Sequence, residues 1–176
     1  GDILAVELAP STQSAVNNWN VHTASWLKHY VYLRVERPKF LQGAITHKVF
    51  ATTVTRMTSA FWHGFYPGYF LFFGFSVLGT QVEDSCRKHF GPWFLPESAP
   101  LHRFRPVYTA VGTFHTFVSL NYYGLSFAVL TLEAARELYG QLYYCVHILH
   151  FLAMLLVPLL VPKYPTKDKP TEKKAE

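Results

Sequence analysis

Long stretches without charged side chains dominate the hydrophobic pattern of this chain. Three such runs, of 26, 27 and 25 residues, contain no Asp, Glu, Lys or Arg: Met57–Val82, Pro106–Leu132 and Leu138–Pro162. Because a bilayer-crossing helix needs about 20 predominantly apolar residues, each run is long enough to cross a membrane. The pattern therefore predicts an all-α fold, a polytopic transmembrane helical bundle with about three long membrane helices and shorter embedded or amphipathic helices.

The part of the chain before the first run predicts shorter elements. Residues Leu8–Leu27 are uncharged but rich in Ser, Thr, Asn and Gln, which predicts a loop followed by a helix. Aromatic and apolar side chains at spacings of three and four place this helix from near Asn20 to Val35, and Pro38 ends it. A second helix, amphipathic or partly buried, is predicted over Phe40–Arg56.

Polar segments separate and follow the runs. Glu83–Arg105 holds three prolines and charges of both signs, which predicts a loop. The polar tail from Lys163 to Glu176 is rich in Lys, which predicts a disordered end. The chain starts at Gly1 without a signal peptide, and its polar start leads directly into a helix. We therefore expect the chain to be the C-terminal part of a longer membrane protein.

Composition excludes several classes of protein. Half of the residues are apolar and only 15% are charged, whereas ordinary globular chains have about 25% charged residues. A disordered chain has the opposite balance, and a disulfide scaffold needs more than the two cysteines present, Cys86 and Cys145. The net charge is +5, but the basic residues are not interleaved with exposed aromatics in the pattern of a nucleic-acid binding site. Together with the predicted membrane runs, this leads us to expect no nucleic-acid partner.

Ionisable and strongly polar side chains inside a membrane run are the first candidates for function, because their burial there is costly. His63 lies between Trp62 and Gly64 in the first run. Apolar burial would keep its imidazole neutral and able to accept a proton. The alternative is a structural histidine that bonds a neighbouring helix.

The other histidines of the runs predict packing rather than a metal site. His147 and His150 lie on one helical face, and His115 lies in the second run. A catalytic zinc site needs three protein ligands, and carboxylates are almost absent from the runs. We therefore predict no bound metal.

Two segments of the chain form an ordered pair of motifs. The first, Trp19–Arg34, reads WNVHTASWLKHYVYLR, and the second, Ser59–Phe73, reads SAFWHGFYPGYFLFF. This pair resembles the membrane-bound O-acyltransferase (MBOAT) family, whose members carry a WN-x-x-(T/V)-x-x-WL-(K/R)-x-Y-V-Y segment and then WHGxYPGY. The stretch Val118–Leu132 and the ending PLLVPKYP are similar to the C-terminal part of its lysophospholipid acyltransferase branch, which includes plant-like and algal-like members.

The resemblance implies that residues 1–162 are the C-terminal part of an MBOAT transmembrane catalytic domain, followed by the tail 163–176. It implies an enzyme that transfers an acyl chain from acyl-CoA to the free hydroxyl of a lysophospholipid such as lysophosphatidylcholine. His63 matches the family's catalytic histidine and Asn20 its paired asparagine. Acyl-CoA is then a co-substrate, and no cofactor is expected.

The chemistry of the reaction agrees with these roles. An alcohol has too high a pKa to attack a thioester unaided, so a neutral imidazole must take its proton during the attack. The Asn20 amide could orient that imidazole or donate to the developing oxyanion, and both roles stay open. The alternative for Asn20 is a helix N-cap, since it lies at a predicted helix start.

Four further residues are expected to bind substrate. Trp62, Tyr66 and Tyr69 flank His63 and would shape a tunnel for the acyl chain or the lysolipid, and Asn121 would line the same cavity. Simple packing at helical spacing is the alternative for the aromatic residues.

Other functions stay open at this stage. One is an MBOAT with a sterol, diacylglycerol or protein acceptor, and another is a non-catalytic membrane scaffold or transporter fragment. The predicted location is the endoplasmic-reticulum membrane, in multi-pass form, as the charge-free runs and the family resemblance imply. The ending Lys173-Lys174-Ala175-Glu176 resembles a dilysine retrieval signal and supports this location. The expected partners are acyl-CoA, lysophospholipid and the bilayer. We expect these 176 residues alone to have little or no activity.

Overall fold

A computed structural model describes residues 2–162 of the chain, and most of these residues lie in helices. Its α-helices are α1 (Ile3–Glu7), α2 (Thr12–Trp19), α3 (Val21–Leu27), α4 (His47–His63), α5 (Pro67–Phe94), α6 (Arg105–Val129), α7 (Leu132–Gln141) and α8 (Cys145–Leu160). A π-helical turn, Lys28–Tyr32, and two 3₁₀ turns, Lys39–Leu41 and His102–Phe104, complete the described elements. The all-α prediction is confirmed within this range. The predicted disordered tail and its dilysine sequence lie outside the described residues.

The helix predicted from Asn20 is present, but it is preceded by helix rather than by a loop. Asn20 ends α2 and caps α3, and the π-helical turn continues α3 as far as Tyr32. The second predicted helix is wrong in its bounds. α4 spans His47–His63, and it begins there because the Thr46 side-chain oxygen accepts the backbone N–H of Val49 at 3.3 Å and caps the helix.

The first charge-free run is not one helix. α4 ends at His63, Gly64 adopts a positive φ of 127°, and α5 begins at Pro67. α5 then continues through the predicted loop to Phe94. The loop prediction is wrong for residues 83–94, because partners on other helices satisfy the charges there: Lys48 of α4 pairs with Asp84 of α5. Residues 95–101 lie outside any helix, as predicted.

The second and third runs also differ. α6 covers nearly all of the second run, as predicted. The third run is divided between α7 and α8, which bend by 78° at a break where Tyr143 and Tyr144 both have positive φ. Tyrosine is not a helix breaker, so the sequence alone predicts one continuous apolar helix here.

No single helix within residues 2–162 combines the length and hydropathy of a membrane span. The bent pair of α7 and α8 meets both requirements when taken together. The three long membrane helices therefore stay a prediction.

α5 is the central helix of the fold and packs against α4, α6 and α8. A cluster of buried apolar side chains lies where α6, α7 and α8 meet, and it consists of Tyr122, Tyr123, Ala135, Tyr139 and Val146. In contrast, α8 turns large apolar side chains outward: Leu149, Phe151, Leu155 and Leu159 are each more than 60% exposed. The ring of His63 lies at the opposite end of α5 from the predicted loop.

Candidate active site

His63 is the last residue of α4, and its ring packs among aromatic side chains of two other helices. The ring centroids lie 5.3 Å from Phe73 of α5 and 5.0 Å from Phe127 of α6. Tyr69 completes the cluster at 5.6 Å. The predicted burial of His63 is not found, because α4 ends at the surface of the described residues and leaves the side chain exposed.

Two glycines determine how the chain continues after His63: Gly64 ends α4, and Gly68 places the start of α5. Gly64 has φ 127° and ψ −177°, a conformation essentially restricted to glycine, so α4 must stop there. Gly68, in the first turn of α5, donates its N–H to the carbonyl of Leu130 at 2.7 Å. This contact places the start of α5 against the end of α6, where Phe127 meets His63.

Asn20 lies at the junction of α2 and α3, and its side chain caps α3. The Oδ1 atom accepts a hydrogen bond from the Thr23 N–H at 3.2 Å. The predicted N-cap geometry is therefore present, and it uses the amide oxygen. The amide NH₂ group, which either catalytic role would use as a donor, is not engaged by this cap.

A tryptophan pair joins the two motif segments. Trp26 of α3 and Trp62 of α4 have ring centroids 4.7 Å apart, at an interplanar angle of 38°. Trp26 is six residues from Asn20, and Trp62 directly precedes His63. The contact therefore fixes the helix that Asn20 caps against the end of the helix that carries His63.

The four predicted substrate-binding residues occupy different surroundings. Tyr69 belongs to the aromatic cluster of His63, and its ring centroid lies 4.6 Å from Phe127. Tyr66 is exposed and touches Tyr69, with centroids 6.0 Å apart. Trp62 faces α3 through Trp26. Asn121 is exposed and donates to the carbonyl of Phe117 in its own helix at 2.8 Å.

Comparison with known proteins decides the family. Residues 2–126 match the model of "MBOAT, membrane-bound O-acyltransferase family", which is more than half of the chain. The chain belongs to the membrane-bound O-acyltransferase family.

Curated relatives of this MBOAT chain carry consistent names. A lysophospholipid acyltransferase of Schizosaccharomyces pombe is 34% identical over 170 residues, which are 96% of this chain and 31% of the relative. Lysophospholipid acyltransferase 2 of Arabidopsis thaliana is 34% identical over 96% of this chain and 34% of its own length. Membrane-bound glycerophospholipid O-acyltransferase 2 of Homo sapiens is 35% identical over 89% of this chain and 27% of its own length. The MBOAT chain thus spans about a third of the length of these relatives.

Sequence reasoning missed three members of the site of this MBOAT chain. Phe73 and Phe127 touch His63, and Trp26 holds Trp62. From the same family-like stretch, the sequence predicts Asn121 rather than Phe127 as a substrate-binding residue. The two are six residues apart on α6 and therefore point about 120° apart. The signal for Trp26 was present, since it recurs with Trp19 and Tyr30 on one helix face.

The two histidines of α8 in this MBOAT chain pair with tyrosines inside the helix bundle. His147 Nδ1 lies 3.0 Å from the Tyr122 hydroxyl, and His150 Nδ1 lies 2.7 Å from that of Tyr123. Both histidines are buried. This agrees with the packing role predicted for them. Within residues 2–162, no three His, Cys, Asp or Glu side chains are grouped so as to hold a metal ion.

A groove of about 880 Å³ lies between α1 and α6 of the MBOAT chain, away from His63. Its wall is mainly apolar, with Phe114 and Phe117, and Glu7 and Arg105 carry its charges. Phe117 lies ten residues before Phe127, about 15 Å along the helix axis. The groove between α1 and α6 is therefore not the cavity predicted beside His63.

Proposed function

We propose that this MBOAT chain is the His63-bearing part of an acyl-CoA-dependent lysophospholipid O-acyltransferase. Its acceptor is the free hydroxyl of a lysophospholipid such as lysophosphatidylcholine, and it acts in the endoplasmic-reticulum membrane as a multi-pass protein. The contact between Trp26 and Trp62 carries the proposal, because it brings together the two segments that bear Asn20 and His63. The names of the relatives support the same reaction class.

The proposed chemistry uses one proton carrier. The lysophospholipid hydroxyl attacks the thioester carbonyl while the His63 imidazole takes the hydroxyl proton. The new oxygen–carbon bond forms, the carbon–sulfur bond breaks, and the proton passes from His63 to the departing CoA sulfur. Because the thiolate is a good leaving group, the reaction needs no covalent enzyme intermediate.

The surroundings of His63 suit a lipid substrate. Phe73, Phe127 and Tyr69 offer the imidazole an apolar wall along which an acyl chain can lie. The outward-facing apolar side chains of α8 suit contact with lipid chains. An amide donor at Asn20 would act on the oxyanion or on the imidazole.

A comparison of acceptors tests the proposed reaction. Membranes that contain the complete protein, incubated with labelled acyl-CoA, are expected to acylate lysophosphatidylcholine and to release free CoA thiol at the same rate. A sterol, diacylglycerol and an acceptor peptide serve as parallel acceptors. Preferential acylation of any of these would overturn the lysophospholipid assignment, and absence of thioester consumption with all of them would overturn the enzyme assignment.

Two substitutions of Asn20 separate catalysis from helix capping. Asn20→Asp keeps a side-chain oxygen for the Thr23 N–H but removes the amide donor, whereas Asn20→Ala removes both. If the donor acts in the reaction, both variants should lose about 10²–10³-fold in kcat, the usual cost of a lost oxyanion donor. Steady-state kinetics at saturating acyl-CoA measure this loss.

Thermal unfolding provides the control for the Asn20 variants. Capping strength is similar for Asn and Asp, so Asn20→Asp should unfold at nearly the wild-type temperature while Asn20→Ala unfolds lower. An Asn20→Asp variant with wild-type kcat would show that Asn20 serves only as a cap.

A further inference from the structure

Glu83 is a largely buried carboxylate, 12% exposed, in the middle of α5 that binds the start of α2. Its two oxygens each accept the Thr12 backbone N–H at 2.9 Å, and Oε1 also accepts the Thr12 hydroxyl at 2.6 Å. The Thr116 hydroxyl of α6 lies 3.2 Å from the same Oε1 and 2.9 Å from the Gly112 carbonyl of its own helix. Thr12 and Thr116 are 1% and 2% exposed. Because Thr12 is the first residue of α2, the negative charge of Glu83 also interacts favourably with the dipole of α2.

A chain of side chains extends this contact across the bundle. His115 Nδ1 lies 3.7 Å from Glu83 Oε1, and His115 Nε2 lies 3.0 Å from His150 Nε2. His150 Nδ1 in turn lies 2.7 Å from the Tyr123 hydroxyl. If Tyr123 donates to His150 and His150 donates to His115, the remaining N–H of His115 faces Glu83. Every member then has a partner with all rings neutral.

The same network holds the segment that ends at Asn20. Asn20 follows directly after α2, eight residues beyond Thr12, and has non-helical φ and ψ of −131° and 84°. Its place is therefore set by where α2 ends and where α3 begins. Glu83 fixes α2 from one side, and the contact of Trp26 with Trp62 fixes α3 from the other.

α5 also carries Phe73, which touches His63. Glu83 and Phe73 are ten residues apart on one continuous helix, about 15 Å along its axis. α5 therefore contacts both parts of the proposed catalytic pair. Its Phe73 touches His63, and its Glu83 binds α2, the helix that ends at Asn20.

We propose that Glu83 is a positioning residue for acyl transfer, acting through Thr12 and α2 to hold Asn20 in its working place relative to His63. The inference rests on the proposed function. It assigns Glu83 no contact with substrate. The network of His115, His150 and Tyr123 keeps the carboxylate in place from the side of α6 and α8.

Kinetics of Glu83→Gln and Thr12→Val in the complete protein test this role. Both variants are expected to lose about 10- to 100-fold in kcat with little change in KM for lysophosphatidylcholine, as for a misplaced catalytic group. Glu83→Asp keeps the charge on a shorter side chain and should recover part of the loss. In an Asn20→Ala background the same substitutions should have almost no further effect, because the residue through which they act is gone.

Matched variants control for the general cost of each change. Thr53→Val removes a hydroxyl that bonds the Val49 carbonyl of its own helix at 2.9 Å, and Glu97→Gln changes an exposed glutamate. Both should keep wild-type kcat. A Glu83→Gln variant that lowers kcat equally in the wild-type and Asn20→Ala backgrounds would contradict a role through Asn20. An unchanged kcat in Glu83→Gln would also contradict a positioning role for Glu83.

Hydrogen exchange tests the anchor without relying on activity. Amides of residues 12–19 should exchange at least tenfold faster in Glu83→Gln than in wild type, whereas amides of α8 should keep their rates. Unchanged exchange over residues 12–19 would overturn the anchor itself. If the wild-type protein consumes no acyl-CoA, the proposed function fails and the kinetic part of this inference fails with it. The exchange measurement would still report on the anchor.

Discussion

His63→Phe is expected to lower acyl transfer at least 100-fold while leaving the fold intact. The Phe ring can keep the contacts with Phe73, Phe127 and Tyr69, which lie 5.0–5.6 Å from His63 between ring centroids, but it cannot take a proton. A general base contributes about 10²–10⁴-fold to rate, so kcat should fall by that factor. Release of CoA thiol from acyl-CoA, in the presence of lysophosphatidylcholine, measures it.

A second histidine of the same helix provides the control. His47 is the first residue of α4, is exposed, and lies 3.0 Å from the Val35 carbonyl through its Nε2. His47→Ala should keep wild-type kcat. His63→Ala should be as inactive as His63→Phe but less stable, because it also loses the ring contacts. Wild-type activity in His63→Phe would show that the imidazole only packs, and the enzyme assignment would then lose its base.

The parts of the fold that the sequence predicted are those set by local signals. The helix after Asn20 and its end before Pro38 follow from a cap and a helix breaker, and α6 follows from one uninterrupted run. The two motif segments also predicted His63 and Asn20 as a pair of interest. The contact of Trp26 with Trp62 supports that pairing in space, although their catalytic roles stay a prediction.

The parts that the sequence could not predict depend on tertiary partners. A charged stretch after Val82 indicates a loop, but Thr12 and Lys48 bind Glu83 and Asp84 there, so α5 continues. The partner of each charge lies more than 30 residues away in sequence. Phe127 was missed for a related reason: which face of α6 meets His63 depends on how α5 and α6 pack.

That packing depends on Gly68, the second residue of α5. A Cβ atom at this position would lie 2.1 Å from the Ser126 carbonyl oxygen and 2.8 Å from the Leu130 Cα. Both neighbours are backbone atoms, so neither can rotate away, and the helices themselves would have to move apart. The second glycine of the WHGxYPGY motif is therefore explained by close helix contact rather than by chemistry.

Gly68→Ala is accordingly expected to destabilise the protein and to remove its activity. Overpacking of this kind costs about 1–3 kcal/mol, and the hydrogen bond from the Gly68 N–H to the Leu130 carbonyl would be strained as well. Because Ser126 directly precedes Phe127, any separation of α5 from α6 also withdraws Phe127 from His63. Thermal unfolding in detergent and acyl transfer in membranes should both report the loss.

Gly124 provides the matched control because it lies in the same pair of packed helices without such a neighbour. A Cβ atom at Gly124 meets nothing within 4 Å, so Gly124→Ala should leave acyl transfer unchanged and stability equal or slightly higher. A Gly68→Ser variant should be at least as damaging as Gly68→Ala, since its side chain is larger. If Gly68→Ala unfolded at the wild-type temperature and kept full activity, α5 and α6 could not be in the close contact that places Phe127 against His63.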